Sequence, residues 1–167
     1  MLLFALSITD KGIGGHEVFD YLIRLHRPEL HFAWTLAGEI RIRLESMFPL
    51  MDELCLHTCP RCPEPCCLVA KVWIDSPDLL FMHLTNQHIP SAQLLEDLKK
   101  TCRYMGPRGC RLPRISRPWL CSWYLCPQQK AILDRNTGLI KDSISYAVRA
   151  IRVRRKEMEA EFIRVVS

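Results

Sequence analysis

Cys59-Pro60-Arg61-Cys62-Pro63-Glu64-Pro65-Cys66-Cys67 sets four thiols and three prolines into nine consecutive residues. A Cys-x2-Cys pair bends the chain so that two sulfurs face one ion. The prolines stiffen the loop and lower the entropy lost when the thiolates are gathered. Zinc ribbons usually follow the pair with a residue at positive φ. Pro63 stands there, and its ring holds φ negative, so this run is not a standard zinc ribbon. Neighbouring side chains in an extended segment point to opposite sides. One of Cys66 and Cys67 is then free to ligate a metal while the other serves a second site or the core.

The other cysteines are Cys55 on one side and Cys102, Cys110, Cys121 and Cys126 on the other, nine in all. An odd number leaves one thiol over from any complete disulfide pairing. The chain also shows no export signal, because the apolar start Met1–Leu6 is short and lacks basic residues. The expected compartment is the cytoplasm, where clustered thiols are metal ligands more often than disulfides. Cys59, Cys62, Cys66, Cys67, Cys102, Cys110, Cys121 and Cys126 form the candidate ligand set. Eight thiols allow two zinc sites of four thiolates, one four-iron cluster with four to spare, or two clusters. Cys55, between Leu54 and Leu56, reads as a small buried hydrophobe. His57 lies beside the cluster and is an alternative ligand; the other five histidines read as surface or capping residues.

The order Cys59-x2-Cys62-x3-Cys66-Cys67, Cys102, Gly109-Cys110, Arg117-Pro118-Trp119-Leu120-Cys121 and Cys126 resembles the CxxCxxCC cysteine-cluster family. That family is described as a zinc- or iron-chelating domain and is often labelled an iron–sulfur oxidoreductase. The resemblance covers about residues 55–127. It implies a 4Fe-4S cluster or zinc as cofactor, with zinc favoured by preparation in air. The commonest family form has two residues before the Cys-Cys pair, where this chain has three.

The remainder of the sequence frames this segment. At 167 residues, 49% hydrophobic and 25% charged, the chain suits one domain with one core and excludes a disordered protein, a collagen or a coiled-coil rod. No apolar run approaches the ~18 residues of a membrane span. The net charge of +5 is local. Lys99, Lys100, Arg103, Arg108, Arg111, Arg114, Arg117 and Lys130 fall between Leu98 and Leu133 with no acid among them, and the rest of the chain is net negative. Four thiolates on Zn²⁺ sum to about −2, and a four-iron cluster with its thiolates does too. Arg117, Arg108 and Arg111 are therefore expected to supply counter-charge around the metal or to bind a small anion. Tyr104, Trp119, Trp123 and Tyr124 are placed to stack bases, but aromatics beside a metal loop are usually core, and nucleic acid is disfavoured as partner.

Apolar periodicity predicts helices at 16–26, 29–47, 77–86, 90–100, 127–135 and 142–165. Val69–Ile74 reads as a short strand, residues 1–15 as a loop or strand ending in a glycine turn, and 101–127 as irregular. Arg149, Arg152, Arg154, Arg155 and Lys156, with Glu157, Glu159 and Glu161, read as a solvated helical face. The expected fold is mainly α: a single domain, 1–167, of about six helices around the cysteine segment 55–127, with helical flanks at 1–54 and 128–167 and room for one short strand pair. Two functions compete. One is an iron–sulfur or zinc metalloprotein, possible as an iron–sulfur oxidoreductase acting with a redox partner protein or a small anionic substrate. The other is a non-catalytic zinc-stabilised interaction or nucleic-acid-binding module.

Overall fold

The computed structural model describes residues 16–107, 109–135 and 139–167. The glycine turn expected within 1–15 and Arg108 lie outside the described residues. Two helices of 28 residues, α2 (His31–Thr58) and α7 (Leu139–Val166), form the frame. Each is about 42 Å long at 1.5 Å per residue. They run antiparallel: Glu39 pairs with Arg154, whereas Met47 and Leu50 lie beside Ile144 and Ala147. Ala33, Ala37, Ile40, Leu44, Met47 and Met51 of α2 face Ile144, Val148, Ile151, Met158 and Phe162 of α7 at the centre of the core.

Two shorter helices complete the packing. α1 (His16–Leu25) buries Ile23 and stacks Phe19 on Phe162, with ring centroids 5.4 Å apart. After α2 comes a 3-10 turn, Cys59–Arg61, and then a single helical turn, α3 (Cys66–Val69). α4 (Ser76–Leu84) is buried almost all round, through Asp78, Leu79, Leu80, Phe81, Met82 and Leu84, as suits a helix in the middle of a domain. Asp75-Ser76-Pro77-Asp78, with a proline at the first turn and an acid behind it, is a sequence signal for a helix start, and α4 begins there. The Asp75 carboxylate accepts from Asp78 N–H at 2.7 Å, and Asp78 returns the bond to Asp75 N–H. Asn86, at φ +53°, turns the chain out of α4, a conformation asparagine tolerates.

The cysteine segment then adds a two-stranded antiparallel pair, β1 (Met105–Gly106) and β2 (Gly109–Cys110), followed by a 3-10 turn at Arg114–Ser116. α5 (Trp119–Trp123) and α6 (Pro127–Arg135) lead to α7. The fold is mainly α with one short strand pair, as the sequence predicts. Among the described residues, no helix is long and apolar enough to cross a membrane.

Four local expectations need correction. α2 does not stop at 47 but continues through Pro49 to Thr58. The lost N–H bond is tolerated because Met47, Met51, Leu54 and Thr58 keep to the buried face. Val69–Ile74 is not in a ladder among the described residues. Instead the Gln93 carboxamide brackets Ile74, accepting from its N–H at 2.8 Å and donating to its carbonyl at 3.0 Å. Residues 90–100 are bends and turns, not a helix. There Tyr104 hydroxyl bonds both N–H and C=O of Ala92, Arg103 N–H takes the Leu94 carbonyl, and Asp97 accepts from Lys99 and Lys100 N–H. Tertiary and side-chain partners thus hold the backbone groups that a helix would use. Arg155 is not on a solvated face. Its side chain is 9% exposed and reaches Asp78 at 2.7 Å and Asp75 at 2.9 Å.

Removing one partner of a buried pair leaves the other charge without compensation. Arg155→Met is expected to lower unfolding free energy by about 3–5 kcal/mol, read from urea denaturation. Arg24→Met, which breaks an exposed pair with Asp20, is expected to change it by less than about 1 kcal/mol.

Candidate metal centre

The first arm is built on the end of α2. Cys59 N–H bonds the Cys55 carbonyl as the helix closes, and Pro60 occupies the start of the following turn, where its missing N–H costs nothing. Cys62 N–H then reaches the Cys59 carbonyl at 3.2 Å. Pro65 leads into α3, which carries Cys66 and Cys67. These neighbours are therefore helical and not extended. Their side chains stand about 100° apart around the axis instead of opposite, and their thiols hydrogen-bond each other.

The second arm docks onto the first through its backbone. Cys102 N–H donates to the Cys67 carbonyl at 3.4 Å, and Cys102 carbonyl accepts from Met105 N–H at 3.1 Å. β1 and β2 pair Met105 with Cys110 and Gly106 with Gly109. Gly109 sits at φ +106°, which an L side chain rarely adopts. This is the physical reason for a glycine directly before Cys110. Cys121, on α5, packs with Cys102 and Tyr104 against Ile74, Leu79 and Leu94.

Cys67, Cys102 and Cys121 are each raised in part by the charges of neighbouring thiols. The hydrogen bond from Cys67 brings the Cys66 thiol down to about 6. The same bond, then burial, then the charges of Cys66, Cys110 and Cys102 push Cys67 up. Burial raises Cys102, opposed in part by the Arg111 charge. Burial first, then Cys110, Cys102 and Cys66, push Cys121 up to about 12.

Cys55, near the end of α2, and Cys126, before α6, are linked through Gln129. Cys55 is half-buried, and its Sγ accepts from Arg114 Nη2 and Gln129 Nε2, each at 3.5 Å. Gln129 Nε2 also donates to Thr58 Oγ1 at 3.2 Å, while its Oε1 accepts from Cys126 N–H at 3.1 Å. Cys59 is pushed up to about 11, by burial first, then by Cys55 and, less, by the charge of Cys66. His57 is exposed on α2.

The arginines act mostly on backbone. Arg117 Nε donates to the Leu112 carbonyl at 3.1 Å. Arg111 bonds the Arg103 carbonyl and stands beside Cys102. Arg108 lies outside the described residues. Among the described residues, the arginine whose side chain bonds a thiol is Arg114. It pairs with Asp52 at 2.5 Å and donates to Cys55. Sequence reasoning counted Arg114 among the basic run but gave it no role, because its partners are 62 and 59 residues away. Trp119 and Trp123 pack on the main core, as expected of aromatics beside a cysteine loop.

An all-thiol donor set suits zinc or iron in its chemistry. Among the described residues, however, no three His, Cys, Asp or Glu side chains converge as ligands of one ion. Ligation requires the thiols to turn about their side-chain bonds. Comparison of the chain with family models, curated proteins and solved structures finds no match.

The Arg117 bond to the Leu112 carbonyl clamps the loop between Cys110 and Cys121. A hydrogen bond to a charged donor contributes about 1.5–3 kcal/mol. Arg117→Ala is expected to speed amide hydrogen exchange across 110–117 by at least about tenfold, the change that ~1.4 kcal/mol produces. Lys130→Ala, on the exposed side of α6, is expected to leave those rates unaltered.

Proposed function

We propose that this chain is a cysteine-cluster metal-binding protein, holding zinc or an iron–sulfur cluster on thiolates of its middle segment, in the manner of the CxxCxxCC family it resembles. The observation that carries this reading is the backbone bond from Cys102 N–H to the Cys67 carbonyl. It docks two cysteine arms that are distant in sequence, one carrying Cys67 and the other Cys102. Thiolates gathered in this way repel one another unless a cation lies between them.

Cys67, Cys102, Cys110 and Cys121 would hold the metal, and Arg111 is placed to offset its negative ligand shell. When bound, the metal supplies positive charge to knit the segment and, as an iron–sulfur cluster, an electron-carrying centre. The chain's own work is to position thiols through Gly109, Arg117 and the α5 packing, and to shield them with Ile74, Leu79 and Leu94. A redox partner protein or a small anionic substrate would meet such a centre. A non-catalytic zinc module is the second reading. It draws on the stitching of this segment to the helical frame through Asp78 to Trp119 N–H and Arg114 to Asp52.

Iron, sulfide and zinc measured per chain after anaerobic isolation separate the two. Iron with sulfide supports the redox reading, and zinc alone the structural one. Metal binding is also expected to contribute to folding. Chelation should make residues 101–127 exchange amide hydrogens faster while α2 and α7 retain their helical signal. A chain that isolates without metal, takes none up and is equally stable with chelator would overturn the proposal.

A further inference from the structure

The cations of α7 divide into two groups. Arg154 pairs with Glu39 and Glu157, Arg155 with Asp75 and Asp78, and Arg164 with Glu161. Arg149, Arg152 and Lys156 are exposed and, among the described residues, have no ion pair. We propose that the outer face of α7 is a docking surface for an anionic membrane, with Arg149, Arg152 and Lys156 meeting its headgroups and Tyr146, Val153 and Ile163 its apolar boundary. The inference goes beyond the metal-binding reading and does not depend on it.

Helical geometry puts these six residues on one side. At about 100° per residue, they fall within about 120° of arc and span about 25 Å along the axis. All six are exposed, Tyr146 at 64%, Val153 at 51% and Ile163 at 53%. The opposite side of the same helix carries Ile144, Val148, Ile151, Met158 and Phe162 into the core. The arc is therefore the side that the fold leaves uncovered. From Ser143 to Lys156 the sequence holds five cations and no acid. At one edge of the arc the Arg152 guanidinium lies 6.0 Å from the centre of the Trp123 ring, which joins the face to α5.

The composition and shape of the arc select the occupant. Unpaired cations on one face attract a polyanion. The phosphates of a nucleic acid would take those cations but offer Val153 and Ile163 no apolar contact. A protein partner anchors its strongest contacts in well-packed pockets, whereas one side of a single helix is convex. An anionic bilayer meets both needs. Its headgroups take the guanidinium and ammonium groups, whose long stems lie along the apolar boundary. Tyrosine sits at headgroup level, and the aliphatic side chains between the cations reach the layer below, as on interfacial helices. Such a face lies along the membrane and does not cross it, in keeping with the polarity of α7.

The test sediments the full chain with vesicles of phosphatidylcholine containing about one quarter phosphatidylserine, and with vesicles of phosphatidylcholine alone. The chain is expected to bind the first and not the second, and to be released as salt screens the attraction. Arg149→Gln and Lys156→Gln are each expected to weaken binding about fivefold, the equivalent of ~1 kcal/mol per cation near the surface. Val153→Asp, which puts an acid where an apolar side chain meets the bilayer, is expected to weaken it further. Arg41→Gln removes the same charge from an exposed position on α2 and is expected to leave binding unaltered. All four positions are exposed, so the variants are expected to keep the helical signal of the parent chain. No binding that depends on phosphatidylserine overturns the proposal. So does binding that Arg149→Gln, Lys156→Gln or Val153→Asp leaves unaltered, or that Arg41→Gln weakens as much as they do. A chain that ignores the vesicles but binds a duplex oligonucleotide or an acidic peptide also overturns it and gives the face to that partner.

Discussion

The Arg155 guanidinium is held between Asp78 at 2.7 Å and Asp75 at 2.9 Å, with the Trp119 ring 5.8 Å away. Asp78 is 3% exposed. Burial pushes its carboxyl up, while the Arg155 charge and the N–H groups of Trp119 and Asp75 pull it down. Burial prevails, leaving the carboxyl raised to about 7, and these donors offset only part of the cost of burying its charge. The same two aspartates cap α4, bind α7 and receive the first N–H of α5. One ion pair therefore fixes the long helix, the central helix and the cysteine segment relative to one another.

That node explains how an irregular segment is held in a helical protein. Between β2 and α6 the chain has little regular hydrogen bonding of its own. It is tied at Trp119 to Asp78, at Arg114 to Asp52, and at Gln129 to Cys55 and Thr58. Each tie joins a polar group on the segment to one on α2 or α4. The frame sets where the cysteines lie, and the small apolar cluster of Ile74, Leu79 and Leu94 packs there against Cys102 and Cys121. A metal on them would cross-link segments that the frame already holds in register, so little ordering entropy would remain to oppose binding.

Pro49 and Gln93 show how tertiary packing overrode local signals. A proline inside α2 reads as a stop, yet the apolar face on both sides of it continues, and its burial against α7 outweighs the lost bond. The stretch after Pro90 has the periodicity of a helix, yet Gln93 and Tyr104 direct polar groups to distant backbone, and Leu94 and Leu95 are buried without helical structure. Cys66 and Cys67 were expected on opposite sides of an extended chain, but the single turn after Pro65 brings them together.

The sequence by itself determined the helices whose apolar faces repeat with helical period, the cap at Asp75, the irregular character of 101–127 and the identity of the thiols. Those features depend on residues within a few positions of one another, so spacing carries them. Only the tertiary structure decided which thiols are neighbours, that Cys55 carries two donors and that Arg155 is buried. The partners of Arg155 are 77 and 80 residues away, and Gln129 lies 74 from Cys55. No local pattern records such pairings. They are fixed by how α2, α4 and α7 pack, and a charged residue in a basic run looks the same in sequence whether it faces water or a buried aspartate.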